Sequence, residues 1–486
     1  MKRIVFCFDG TWNEIDSQHP TNVARIAQSV SRFARENVPQ MIYYDEGVGT
    51  TATEKWSGGI FGRGLTEKIV RAYHFLVLNY EPGDQIYVFG FSRGAFTARS
   101  FVGLLRNAGV MSRRSLSHIR KAIDLYLSRD ERSSPNSEEA RAFRMLHCPK
   151  LCLPGDLDWR RTALGKPELK GLTELRVDYL GIWDSVGALG IPKHLKLLAW
   201  LNRKHGFHDT TLSSFVRRAR HAVAADEKRR TFEAGMWTNL DDLNATSPDG
   251  DERYEQLIFP GTHSAVGGGG PIRGLSDGAL EWIFEGAKRE GLEFDQDDKS
   301  PIFQMQPDHR AQLFNQTGKS DWSFKDFAMG VGIGTRSFPP LDRRALHESL
   351  IRRFATPKEQ LPEKVEYKPE SLKDLWPAMK EMADMLANDR DYFRSQLSDS
   401  GDPRTLRAPD RVRRYTVKPN DTLTEIAESE MGGKSNWKLL ALHNRNVGLL
   451  FDEDEIYAGS EIEIPVYDDG AQRPTRTDGT EDNRKD

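Results

Sequence analysis

The sequence predicts an α/β protein: a doubly wound, mostly parallel sheet with helices on both faces, followed by a small separate βααβ unit. Three observations carry this. Short, wholly apolar runs such as residues 4–8 and 177–182 have the length and composition of strands buried on both faces. They alternate with segments whose apolar residues recur at helical spacing, for example Val23, Ile26, Ala27 and Val30. A strand-like stretch with Ile86, Val88 and Phe89 runs directly into Gly90-Phe91-Ser92-Arg93-Gly94 and then into a helix-compatible run. A serine between two glycines at a strand-to-helix turn is the setting of a nucleophile elbow, in which small flanking residues let strand and helix pass closely. The alternative is a tight turn whose serine caps the helix.

At 486 residues the chain has room for one large α/β domain and a small module. The net charge of −3 gives no global electrostatic case for nucleic acid, and no nucleic-acid partner is expected. Cys7, Cys148 and Cys152 are too few for a disulfide framework and suit synthesis in a reducing compartment. His147 beside Cys148 and Cys152 lacks a second pair at zinc spacing, so no metal site is expected there. The amino-terminal apolar run stops at Asp9 and reads as a first strand rather than a signal peptide. No window reaches the ~18 apolar residues of a membrane span.

In order along the chain, residues 4–8 form the first strand, and Asp9-Gly10-Thr11-Trp12-Asn13 is a loop at its carboxyl end, the edge where open α/β sheets bind ligands. Residues 22–33 read as a helix and 40–44 as the next strand. A glycine-rich loop from Asp45 to Gly64 lacks a Gly-Lys-Ser/Thr ending, so an active-site loop is favoured over a phosphate cradle. Residues 65–80 are helical, Pro82-Gly83-Asp84 turns the chain into the elbow strand, and 96–108 is the helix after it. Residues 112–172, charged and broken by prolines, read as an insertion. Strands follow at 177–182, 221–226 and 256–259. Between the first two, 194–215 mixes leucines and lysines, the pattern of a surface helix packing on the core or of a lid or membrane-contacting helix. Residues 275–291 and 372–397 are helical, while 301–341 carry few signals. The domain boundaries expected are 1–397 for the catalytic domain, 398–413 for a linker, 414–466 for the small unit and 467–486 for a disordered tail.

Ser92, Asp184 and His263 each follow a predicted strand, so the topology brings them to one sheet edge in the order nucleophile, acid, base. His263 then takes the proton of Ser92, and Asp184 holds the other imidazole nitrogen. The backbone N–H of Arg93 and one from Gly10 or Thr11 are the candidate oxyanion donors. Asp178 and Asp226 remain alternative acids, and His221, at the start of a strand-like segment, is the rival base. Asp9 either orients its loop or, with Asp45, binds a metal; no His/Asp cluster supports the metal, and the chemistry expected needs no cofactor.

The blocks FCFDGTWN, YYDEGVGT, GDQIYVFGFSRGAFTAR, YLGIWDSVGALG, HAVAADEKRR, FPGTHSAVGGGG and LSDGALEWIFEGA, in that order over residues 1–289, resemble the α/β-hydrolase family that includes type VI secretion lipase effectors. The resemblance implies a Ser92–Asp184–His263 triad and a phospholipase cleaving acyl esters of membrane glycerophospholipids. It also implies synthesis in the bacterial cytoplasm, delivery to a target cell's periplasm, a secretion-system component as partner and an immunity protein. The family's histidine loop usually carries an aspartate two residues on, where this chain has Ala265. Residues 414–466, with YTVKPNDTLTEIAESEMGG, WKLLALHNRN and YAGSEIEIP, resemble a LysM domain. That implies binding of peptidoglycan or another N-acetylglucosamine polymer through loops bearing Asn420, Asp421, Thr422, Asn444 and Asn446. A docking role without glycan affinity is the other reading. For the whole chain, a cytoplasmic carboxylesterase on small soluble esters and a non-catalytic adaptor on a degenerate hydrolase scaffold are the rivals.

Overall fold

The structure is a computed structural model. It describes residues 1–10, 15–47, 58–128, 130–186, 211–230, 232–247, 253–295, 300–302, 304–315, 333–386, 411–418, 421–433, 436–446, 456 and 458–466. The chain divides into two compact units, Met1–Met385 and Leu386–Asp486.

The first unit is built on a seven-stranded sheet. Its strands are β1 (Arg3–Phe8), β2 (Phe33–Ala34), β3 (Val38–Asp45) and β4 (Gln85–Phe91), then, beyond the two-residue pair β5 (Leu151–Cys152) and β6 (Thr173–Glu174), β7 (Val177–Trp183), β8 (Val216–Ala224) and β9 (Tyr254–Phe259). Spatial order is β2-β3-β1-β4-β7-β8-β9. Every pairing is parallel except that of the short edge strand β2 with β3. The apolar run of β1 is explained by this central place. Ile4, Phe6 and Phe8 point into one core with the helices α2 (Gly58–Asn79) and α3 (Arg93–Ala108), where Phe6 and Phe101 rings lie 4.6 Å apart. Val5 and Cys7 point the other way, into a second core with α1 (Asn22–Ser29) and the helix Gly274–Arg289. Each fully buried Phe or Ile in these two layers contributes roughly 1.5–3 kcal/mol.

The expected first helix is shorter than its periodicity suggests. Thr21 caps it, its Oγ1 accepting from the Ala24 N–H, but Val30 is extended and bridges to Phe294, and Phe33–Ala34 turns back onto β3. The helix expected over 372–397 opens as a 3-10 turn, Glu370–Leu375, and is helical over 376–386; the rest lies outside the described residues. So do residues 48–57 of the glycine-rich loop and all but the end of the amphipathic 194–215 segment, while residues 58–64, expected in that loop, instead open the helix α2. The insertion folds into helices Ile119–Leu127, Glu138–His147 and Asp156–Leu164, pinned by a buried pair in which Arg144 donates to both oxygens of Asp156 at 2.7 Å.

The second unit, among its described residues, is β10 (Arg411–Thr416), helices Leu423–Met431 and Trp437–Asn446, and β11 (Glu461–Val466) paired antiparallel to β10. Val417, Leu423, Ile426, Ala427, Leu440, Ala441, Ile462 and Ile464 form its core. The βααβ order is as expected, with the first strand opening at Arg411, inside the stretch expected to be linker. Residues 467–486, the expected tail, lie outside the described residues.

Candidate active site

The elbow is a consequence of close approach. β4 ends at Phe91, α3 begins at Arg93, and Ser92 between them takes φ 58° and ψ −125°, a strained conformation for a residue with a side chain. A Cβ on Gly90 would stand 2.7 Å from the Ala95 Cα, and one on Gly94 would stand 2.1 Å from the Phe8 carbonyl oxygen. Only glycine fits at either place. The start of α3 is thereby pressed against the carboxyl end of β1, beside the Asp9-Gly10 turn.

β7 ends at Trp183, whose carbonyl accepts the Ser92 N–H at 3.0 Å, and the next residue is Asp184. His263 opens a short helix, His263–Gly267, four residues beyond β9. The three side chains meet at the carboxyl edge of the sheet. Ser92 Oγ lies 2.8 Å from His263 Nε2, and His263 Nδ1 lies 2.5 Å from Asp184 Oδ2. All three are buried. The imidazole is clamped between rings, stacked on Phe91 at 4.7 Å and edge-on to Phe232 at 4.9 Å.

Electrostatics hold the site in one protonation state. Burial lowers the His263 pKa, against the opposing pull of Asp184, so the imidazole is neutral near neutral pH. Burial pushes the Asp184 carboxyl up, but the Arg336 charge and the His263 hydrogen bond outweigh it and hold the group well below the usual carboxylate range. Glu227 accepts the His263 backbone N–H at 3.2 Å and is itself gripped by Arg229, at 2.8 and 2.9 Å. The arrangement can pass a proton from a serine hydroxyl to an imidazole and stabilise the resulting cation.

The alternatives lie elsewhere. Asp178, at the opposite end of β7, accepts the Ile86 N–H at 2.8 Å. Asp226 accepts from the Gly261 N–H and the Tyr367 hydroxyl, bracing the histidine loop from outside. His221 is fully buried, accepts the Ser185 N–H at 3.1 Å and faces Gln256 Oε1 at 2.9 Å. Asp9 is an orienting group: Thr21 and Tyr44 hydroxyls and the Gly10 N–H all donate to it at 2.6 Å. The Gly10 N–H is therefore engaged with its neighbour's carboxylate, while the Arg93 N–H, at the first position of α3, has no partner within the helix. Thr11 lies outside the described residues. No group of three or more His, Cys, Asp or Glu side chains fit to hold a metal occurs among the described residues. Ala265 is buried inside the short histidine helix.

In the second unit, Thr422 is the helix cap, bonded reciprocally with Glu425. Asp421 accepts from the Tyr415 hydroxyl and the Lys418 N–H, both at 2.8 Å. Asn444 is fully buried, its amide bonded to Leu440 O, Glu463 O and the Glu463 N–H, so it ties a helix to β11 rather than facing solvent. Asn420 and the Asn446 side chain lie outside the description.

Arg336 is the residue that sequence reasoning missed. It lies in the signal-poor stretch and reaches Asp184 through both terminal nitrogens, at 2.6 and 3.0 Å.

Residues 2–286 match the family model described as T6SS, Phospholipase effector Tle1-like, catalytic domain. A yeast protein, the uncharacterized YEL023C of Saccharomyces cerevisiae, is 27% identical over 256 residues, which is 49% of this chain and 33% of the yeast protein. The chain thus spans about a third of the length of that curated relative. Among solved structures, an uncharacterized protein from Pseudomonas aeruginosa aligns at 18% identity over 60% of this chain and 47% of its own, with a TM-score of 0.33. The Tle1 effector bound to the VgrG spike of the type 6 secretion system aligns at 19% identity over 56% of this chain and 52% of its own, with a TM-score of 0.28.

Proposed function

This chain belongs to the Tle1-like phospholipase effector family of type VI secretion systems, and from that premise we propose that it is a serine hydrolase cleaving an acyl ester of membrane glycerophospholipids. The observation that carries the chemistry is the unbroken chain of hydrogen bonds from Ser92 through His263 to Asp184, at 2.8 and 2.5 Å. Ser92 Oγ attacks the ester carbonyl as its proton moves to His263 Nε2. The developing oxyanion is met by the Arg93 N–H and by a donor of the loop after β1. As the tetrahedral species collapses, His263 returns the proton to the leaving glyceryl oxygen. Water, activated by the same imidazole, then releases the fatty acid from Ser92.

The test is mass spectrometry of wild type and Ser92→Ala after exposure to a fluorophosphonate. Labelling confined to Ser92, with loss of hydrolysis in the variant, supports the proposal. Hydrolysis that survives in Ser92→Ala overturns it. Comparing long-chain diacyl phospholipid in mixed micelles with a short-chain nitrophenyl ester separates a phospholipase from an esterase acting on small soluble substrates.

The second unit is assigned to glycan binding as a LysM-like module, supported by its βααβ order and its reciprocal cap at Thr422. Its peptidoglycan contacts would come from the turn around Asp421, with Asn444 as scaffold. Pull-down on purified peptidoglycan, with and without residues 411–466, tests this; equal retention of both forms rules it out. No helix among the described residues is long and apolar enough to cross a membrane. Delivery into a neighbouring cell's periplasm by the secretion machinery would place the enzyme beside both lipid and cell wall. Unchanged export in a strain lacking that machinery contradicts this route.

A further inference from the structure

Asp184 has four hydrogen-bond donors, and only one of them is His263. Oδ1 accepts from the Ala224 N–H at 2.9 Å and from Arg336 Nη1 at 2.6 Å; Oδ2 accepts from His263 Nδ1 at 2.5 Å and from Arg336 Nη2 at 3.0 Å. The guanidinium is equally complete. Its remaining bonds go to Ala224 O at 2.9 Å and to Phe232 O from both Nε and Nη2, at 3.1 and 2.5 Å, so all five N–H donors are used. Arg336 is itself buried. Its segment is fixed along the loop that follows β8: Ile333 bridges to Arg229, and the Gly334 N–H donates to Lys228 O at 2.8 Å. Ile333, Gly334 and Arg336 themselves lie beyond 2–286, the stretch that matches the family model.

We infer that Arg336 is a positioning residue for the hydrolytic site, fixing the Asp184 carboxylate and sharing its charge with His263 so that the histidine stays an unprotonated base in mildly acidic conditions. The inference rests on the serine-hydrolase reading above. In a triad whose acid has no other partner, the carboxylate charge is wholly available to the imidazolium. Here the carboxylate already faces a guanidinium in a bidentate, water-excluded pair. Protonating His263 therefore adds a second cation to a carboxylate that has one, which favours the neutral imidazole.

The other charged groups around the imidazole do not reverse this. Glu227, at the His263 backbone, is matched by Arg229, which in turn lies over the Phe232 ring at 3.7 Å. Neighbouring His221 is held neutral, since burial and the Arg99 charge push its pKa down to about 3.

The experiment is the pH dependence of kcat/KM on a short-chain acyl ester, followed by acid release, for wild type, Arg336→Gln and Arg336→Lys, with Ser92→Ala as the chemical control and thermal melting as the control for folding. The wild-type acid limb is expected below the ordinary imidazole value of about 6.5. Arg336→Gln should move it up by about one pH unit, a tenfold loss of neutral imidazole at a given acidic pH. Arg336→Lys keeps the charge and should keep the limb near wild type while lowering the plateau, because an ammonium cannot hold both oxygens as a fork. A merely structural arginine would lower stability and leave the limb in place. Superimposable acid limbs for wild type and Arg336→Gln overturn the inference while leaving the triad intact, provided Ser92→Ala is inactive. Activity in Ser92→Ala removes both. If neither Arg336 variant folds, the wild-type limb decides: a value at or above about 6.5 is incompatible with the inference.

Discussion

Asp9 is wrapped by three donors and is nevertheless a cost to the fold at neutral pH. Burial pushes its pKa up to about 6, and the bonds from Thr21, Tyr44 and Gly10, which favour the anion, recover only part of that. Because the folded value is raised, the Asp9 contribution is most favourable when the group is protonated and is lost as pH rises through about 6. Between roughly pH 5 and roughly pH 7.5, wild type should lose about 1 kcal/mol relative to Asp9→Asn, read as a change in the difference between their unfolding free energies. A pH-independent difference would show that the carboxyl is not buried in solution. The same scale explains what the sequence disclosed of the site. Ser92, Asp184 and His263 were legible because each follows a buried strand, and β4, β7 and β9 bring such positions to one edge. Arg336 was not legible. It follows no apolar run of strand length, sits in no periodic pattern, and bonds a partner 152 residues away. Ala265 shows the converse: a departure visible in the sequence whose meaning is one of packing, since its side chain is buried where a carboxylate would need a partner.

Among the elements, most strands were read more faithfully than helix ends; the exception is β8, which opens five residues before the expected 221 and closes two before 226. A buried strand declares itself in five apolar residues, whereas the periodicity of α1 runs on through Val30 although the chain there has already turned extended to bridge Phe294. Tertiary pairing ended that helix, and pairing is not written in local spacing. In the second unit Asp421 and Thr422 are both cap-type residues before the helix, and the structure uses Thr422, whose Glu three residues on completes a local capping signal. Asn444 was misleading for the opposite reason. A polar side chain near a loop suggests a ligand, but this one hydrogen-bonds the β11 backbone from inside. Asn444→Ala should orphan the Glu463 N–H and destabilise the unit by about 1–3 kcal/mol. Faster amide exchange over Glu461–Val466, with unchanged exchange in β4, is the expected signature; unaltered protection of β11 would refute it.

Over the whole molecule, similarity and structure draw different borders. The family match ends at residue 286, yet the first compact unit runs to Met385 and its last hundred residues are not an appendage. Leu346 bridges to Ile258, buried Arg353 bonds Glu363 at 2.7 Å, and Tyr367 reaches Asp226 behind the histidine loop. A chain cut after residue 385 should therefore still take a fluorophosphonate on Ser92, and one cut after residue 289 should not; equal labelling of the two would mean that the later residues are dispensable. The spread of the site along the chain has a consequence in time. Parallel strands pair only after long crossovers, and such non-local contacts form late and slowly. Residues 92, 184, 263 and 336 emerge from the ribosome in that order, so a growing polypeptide already carries its serine for most of its synthesis without the groups that activate it. On the reading proposed here, membrane-degrading activity appears only once nearly the whole first unit has been translated and folded, and incomplete products are harmless to the cell that makes them.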